Sequence, residues 1–149
     1  YVVDSQKELA EAAITYAIIN HQPIPDRQDL GIEPSSYLNG MGESVGELRR
    51  FNLDKLRHGD MERCEEILQV MDDIYSILVT IDFPDAMTGG LRRTTDAVRG
   101  IMEKTRGDLT KELARALEKI GFRTEISGLG TEEPEISLRP STSDSADDD

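Results

Sequence analysis

Apolar residues recur every three or four positions through most of the first 121 residues, the period of helices that bury one face. The clearest stretch runs from about Tyr37 to His58, YLNGMGESVGELRRFNLDKLRH, where Leu38, Met41, Val45 and Leu48 make one apolar stripe. At about 100° per residue, Glu43 and Glu47 fall on the side away from that stripe. Gly40, Gly42 and Gly46 stand in the same turns. Glycine inside a helix costs about 1 kcal/mol against alanine. Two circumstances would justify three of them: close packing of another helix, or the approach of a ligand or metal-bound substrate to the backbone. The rest of the chain reads as helices arranged around this one.

Before it, Ser5-Gln6-Lys7-Glu8 has the form of a capping box, predicting a helix to about Asn20. Ala12 to Ile19 carries no charge on any face, so most of that helix should be buried. Glu8 and Glu11, three apart, share one face at its edge. They read either as acids placed for chemistry or as a capping-box member and a solvated first-turn acid. Pro23, Pro25, Gly31 and Pro34 then mark a long connecting loop, with His21 as a C-terminal cap of the preceding helix. Ser35 or Ser36 is expected to cap the central helix, which stops at His58-Gly59. After a very short turn, Asp60 caps a third helix, antiparallel to the second. It carries Cys64, Ile67, Leu68, Met71, Ile74, Tyr75, Leu78 and Ile81 at near-heptad spacing. Pro84 is placed to begin a fourth helix reaching Ile120, with Met87, Leu91, Val98, Ile101, Leu109, Leu113, Leu117 and Ile120 as its apolar positions. Gly89-Gly90 and Gly107 are points where it could bend or break. Gly121 stops it.

The reading is therefore all-α, an antiparallel helical bundle over residues 1–121, followed by a disordered acidic tail over 122–149 that ends in Asp147-Asp148-Asp149. Composition agrees: only 5% of residues are aromatic and Trp is absent, which suits helix packing better than a β-sandwich. No apolar run is long enough to span a membrane. No secretory signal is visible, though the chain begins at Tyr1 rather than Met. The single Cys64 rules out an internal disulfide framework and fits an intracellular, cytoplasmic protein. The net charge of −13 argues, taken alone, against a nucleic-acid partner. The same acidity also suits a very salty cytoplasm, where repulsion is screened within a few ångströms.

Glu8 and Glu11 on one helix, with Glu43 and Glu47 on the next, make two carboxylate pairs. Should those faces meet, the acids would repel unless a cation joined them. Mg²⁺ or Mn²⁺, which favour oxygen ligands, would resolve that and could activate water against a phosphodiester. No zinc pattern, phosphate loop or nucleophile elbow competes with this reading.

YLNGMGESVGELRR, followed by HGDMERC and a helix containing DDIY, resembles the translin family, and within it the translin-associated factor X branch. The positions that carry the likeness are Tyr37-Leu38, Gly40, Glu43, Gly46-Glu47-Leu48, Arg49 and Gly59-Asp60; KELAEA resembles the branch's earlier helix motif, with two glutamates three apart. The likeness extends over about Ser5 to Arg115. It implies an all-α fold of the translin type, assembly into hollow homo-oligomers, binding of single-stranded RNA or DNA, and a Mg²⁺-dependent endoribonuclease activity. Carried over by position, the catalytic acids are Glu8, Glu11 and Glu43, with Glu47 as a fourth candidate metal ligand. The branch has Asp where this chain has Glu43, and the family's leading long helix is not in this chain. The implied nucleic-acid contacts are Arg49, Arg50, Arg92, Arg93 and Arg99, although Arg49 and Arg50 could instead pair with Glu47 and Asp54 along the helix. Two other readings stand beside the nuclease: a binding module that cuts nothing, and a helical scaffold with solvated acids.

Overall fold

The computed structural model describes residues 2–126 and 136–140, with side chains over 2–121. Among these, six helices follow in order: α1 (Val2–Ile19), α2 (Arg27–Leu30), α3 (Pro34–Arg57), α4 (Met61–Leu78), α5 (Asp85–Thr88) and α6 (Leu91–Lys119). Strands β1 (Phe122–Ile126) and β2 (Ile136–Pro140) pair antiparallel, Phe122 opposite Pro140 and Ile126 opposite Ile136. Both fall inside the expected tail, whose other residues, 127–135 and 141–149, lie outside the described ones. The chain divides into two compact units, Tyr1–Gly107 and Asp108–Asp149; the candidate site belongs to the first. No helix among the described residues is long and apolar enough to cross a membrane.

Helix α3 is the hub. Its Val45 and Leu48 are buried together with Ile14 of α1, Ile67, Met71 and Leu78 of α4, and Val98 of α6. The directions follow from cross-helix bonds. Ser36 Oγ donates to Val3 O at 3.5 Å and Lys7 Nζ meets Glu43 Oε1 at 3.0 Å, so α1 and α3 run parallel. Asn52 Nδ2 donates to Cys64 O at 3.0 Å across the tight α3–α4 turn, making that pair antiparallel as expected. Thr94 Oγ1 donates to Asn39 Oδ1 at 2.7 Å and Arg49 Nη1 to Thr105 Oγ1 at 3.0 Å, which makes α6 parallel to α3. Helices α1, α3 and α6 thus run one way and α4 the other.

A parallel neighbour explains the long loop between Ile19 and Pro34. The chain must return along the whole of α1, about 27 Å at 1.5 Å per residue, before α3 can start beside it. Buried Ile32 anchors this return, and Tyr37 Oη donates to Pro25 O at 2.8 Å. At the loop's start His21 adopts φ 53°, and the Gln22 and His21 N–H groups bond Ala17 O and Ile18 O, closing α1 as anticipated.

Three expected boundaries change. Helix α1 is already formed at Val2, so Ser5 lies inside it and Glu8 is not part of a capping box. Glu33 holds the N-cap position of α3 with Pro34 first in the helix, and Ser36 is buried against α1 instead of capping. Pro84 is the N-cap of the single-turn α5, and the turn at Gly89 and Gly90, with φ 62° and 80°, separates α5 from α6. That break puts Met87 out of phase with α6, where it is exposed; Leu113 and Ile120 are exposed too. The expectations at Asp60, whose carboxylate accepts from Arg63 N, and at buried Cys64 hold.

The glycines of α3 separate into two kinds. A Cβ on Gly40 would lie 2.6 Å from both Ala10 Cβ and Lys7 O, and one on Gly42 would collide with Thr94 Cγ2; at Gly46 nothing lies within 4 Å. Close helix approach therefore accounts for the first two and not for the third. Gly40→Ala should destabilise the fold by about 1–3 kcal/mol through overpacking against α1 backbone. Gly46→Ala should stabilise it by about 1 kcal/mol through helix propensity. Denaturant unfolding of both variants checks the contrast, and equal effects would refute it.

Candidate active site

The Gly40 contact sets the α1 turn of Lys7 to Glu11 directly against α3. Because the two helices run parallel, Glu8 and Glu11 lie alongside Glu43 and Glu47 rather than at opposite ends. Glu11 is half-buried, and its carboxyl is pushed above the usual range, first by burial and then by the charges of Glu43 and Glu47, with Glu8 adding and Lys7 opposing. All four acids therefore share one electrostatic neighbourhood.

Two cations moderate it. The Lys7 ammonium is held up by its hydrogen bond to Glu43. Both side chains are about one-third exposed, so this pair is worth about 1 kcal/mol or less. Arg50 Nη1 donates to Glu47 Oε1 at 3.1 Å, one turn along α3.

The acids flank the seam. Glu8, Glu11 and Glu47 line a hollow of about 400 Å³ together with Thr15, Tyr16 and Ile19. Thr15 Oγ1 is buried there with no hydrogen-bond partner among the described residues. Glu43 lines a second hollow of about 510 Å³ with Lys7, Asn39 and Arg93. Among the described residues no three Asp, Glu, His or Cys side chains are grouped closely enough to hold a metal ion as they stand. The donor chemistry nevertheless fits a hard divalent cation: four carboxylates with no histidine nitrogen or cysteine sulfur among them. Residues Glu8, Glu11, Glu43 and Glu47 are the ones that could hold it.

The five arginines do not form one patch. Arg49 reaches Thr105 on α6 and Arg50 pairs with Glu47. Arg99 packs over the Tyr75 ring, 6.0 Å from its centroid, with its Nε donating to Tyr75 Oη at 3.1 Å. Arg92 and Arg93 are exposed at the start of α6, about 18 Å along the helix from Thr105 at 1.5 Å per residue. Only Arg93 lines the hollow that Glu43 lines.

Lys7 and Asn39 escape a reading of the sequence. In α1, Lys7 stands four residues before Glu11 and reads as an ordinary partner along the helix; its bond to Glu43 depends on a neighbour that spacing does not show. Asn39, buried in α3, donates to Ser35 O and Thr88 O at 2.9 and 2.6 Å and accepts from Thr94 Oγ1, fixing the floor of the larger hollow. A buried amide inside a helix is the signal that could have drawn notice.

The stretch that builds this seam also has relatives. A family model, the Translin family, matches residues 4–105. An uncharacterized protein of Methanocaldococcus jannaschii is 34% identical over 110 residues, 73% of this chain and 49% of that protein. Among solved structures, a complex of AfC3PO with duplex RNA matches with a TM-score of 0.71 at 37% identity, covering 76% of this chain and 60% of that one. The crystal structure of apo-NeC3PO matches with a TM-score of 0.67 at 27% identity, covering 74% and 57%. The chain thus spans about half the length of the curated relative and under two-thirds of these C3PO chains. All but the first two residues of α1, helices α2 to α5, the first half of α6 and all four acids fall inside the matched region, and the chain belongs to the translin family.

Proposed function

We propose that this chain binds RNA and cuts it with a divalent cation, Mg²⁺ or Mn²⁺, held by Glu8, Glu11 and Glu43 with Glu47 beside them. The observation that carries the reading is geometric: close parallel packing of α1 on α3 at Gly40 sets Glu8 and Glu11 alongside Glu43 and Glu47. Within that group the Glu11 carboxyl is raised first by burial and then by the charges of Glu43 and Glu47. Family membership and a solved relative in complex with duplex RNA support the nucleic-acid part. Single-stranded RNA or DNA is the partner that the family likeness implies. Self-association into a homo-oligomer is part of the reading, and exposed apolar side chains such as Tyr16, Phe83 and Met87 suit it.

Bound at these acids, a divalent cation supplies Lewis acidity toward the phosphodiester and the means to activate water. The protein's own groups do the rest. One of the four carboxylates, free of the cation on one oxygen, would accept the proton of an attacking water. Arg50, one turn from Glu47, holds that carboxylate in place. A second reading, a module that binds and does not cut, draws on Lys7 at Glu43 and on a glutamate standing where the branch has aspartate. The longer side chain shifts the carboxylate by about a bond length, and catalytic geometry is sensitive to such displacement.

Mg²⁺-dependent cleavage of a labelled single-stranded RNA separates the two. Glu11→Gln should lower cleavage by about 100-fold or more while RNA binding is kept or improved. Glu43→Asp should keep or raise activity and Glu43→Gln should abolish it. Equal cutting in excess EDTA would refute the metal, and unchanged cutting in both Gln variants would refute the residues.

Loss of activity in Glu11→Gln will not be loss of fold. The folded protein holds the Glu11 proton more tightly than the unfolded chain, so wild type loses stability as pH rises from the unfolded value, about 4.3, through the raised folded one. The uncharged glutamine loses nothing. Its melting temperature should exceed that of wild type at pH 7, and the gap should close below about pH 4. A gap independent of pH would show that Glu11 carries no such strain.

A further inference from the structure

The larger hollow, about 510 Å³, lies beside the first turns of α1, α3 and α6. Two cations of different standing line it. Arg93, from the first turn of α6, is exposed and makes no ion pair among the described residues. Lys7, from α1, is held on Glu43 at 3.0 Å. Between them lie Asn39, locked by its three hydrogen bonds, and the Gly89-Gly90 turn. A Cβ at Gly90 would meet nothing within 4 Å, so the backbone there is open to a neighbour. The carboxylates lining the hollow are Asp4, exposed, and Glu43, covered by Lys7.

We infer that this hollow receives a backbone phosphodiester of the bound strand, the one next to that presented to the acids, with Arg93 and Lys7 as its partners. The words "next to" rest on the nuclease reading; the phosphate site itself rests on the hollow and its two cations. Guanidinium and ammonium groups suit phosphate oxygens, the first as a planar fork and the second as a point charge. Glu43 lies between the hollow and the other acids, so a cation taken up by Glu43 releases Lys7 toward the hollow. Lys7 is then a positioning residue shared by two ligands. It occupies Glu43 when no cation is bound and holds phosphate when one is, so divalent cation and RNA strengthen each other's binding.

The test measures binding rather than cutting. A short labelled RNA is titrated across a salt series in EDTA, together with a set of oligonucleotides in which one phosphate at a time is a neutral methylphosphonate. Each phosphate contact to a single strand adds about 0.7 to the slope of log affinity against log salt. Arg93→Met should therefore lower that slope by about 0.7, and one methylphosphonate position that weakens wild type should cost this variant nothing. Lys7→Met should abolish the gain in RNA affinity that Mn²⁺ brings to wild type, whereas Arg93→Met should keep a gain of similar size. Should Lys7→Met fail to fold, the Arg93→Met scan decides alone.

Identical slopes and methylphosphonate profiles in wild type and Arg93→Met would overturn the phosphate site and leave the nuclease reading standing. The expected profile in a protein that shows no cation-dependent cleavage would do the reverse. No RNA retention at any salt would overturn both.

Discussion

One contact constrains everything else in this molecule, the crossing of α1 over Gly40. Helix backbones meet there with no room for a methyl group, because Ala10 Cβ and Lys7 O already occupy the space. So close a crossing fixes the rotation of α1 about its own axis as well as its distance. It turns the Ala10, Ile14 and Ala17 side of α1 into the core and leaves the Glu8 and Glu11 side along the edge of α3. The placement of the acids is thus a consequence of packing. They are where they are because a glycine and an alanine let two helices touch.

The sequence carried the faces of the helices and hid their directions. Buried Cys64, Ile67, Met71, Ile74 and Leu78 match the spacing read from α4, and the short turn at Gly59 made α3 and α4 antiparallel on inspection. Periodicity reports which side of a helix is apolar, and it is silent on whether a distant helix runs up or down beside it. The parallel course of α1 was written only in the length of the loop after it. Local signals misled where tertiary contacts took over. Ser36 has the chemistry of a cap and is spent on the α1 interface, while Ser5 resembles a cap but lies inside the first turn of a helix that starts at Val2. Met87 kept step with Leu91 on paper, and two glycines at positive φ broke the phase.

The candidate site was legible to a similar depth. Packing of α1 on α3 sets Glu8 and Glu11 alongside Glu43 and Glu47, but Glu43 opens to one hollow and the other three to another. What spacing omits is the cross-helix chemistry: Lys7 reaching Glu43, Arg50 holding Glu47, and Asn39 tying three segments into a floor. The arginine set fared less well, since residues near in sequence reach different neighbours. Arg49 belongs to the α3–α6 contact and Arg99 to Tyr75, so they serve the frame.

The far end of α1 is fastened differently. Arg63, at the start of α4, donates from Nη2 to Ile18 O at 3.1 Å and Ile19 O at 3.0 Å, grips Glu66 at 2.6 Å and lies over the Phe51 ring. Its side chain is only 11% exposed. One guanidinium thereby closes α1 with groups from α3 and α4, so the last turn of α1 cannot unravel without disturbing the α3–α4 hairpin. At the other end, residues Val2 to Ser5 are exposed. Helix α1 is thus fixed at two places, by the Gly40 contact beside the acids and by Arg63 at its last turn. Any change in the spacing between Glu8 and Glu43 must then come from rotation of the glutamate side chains and not from movement of the helix that carries them.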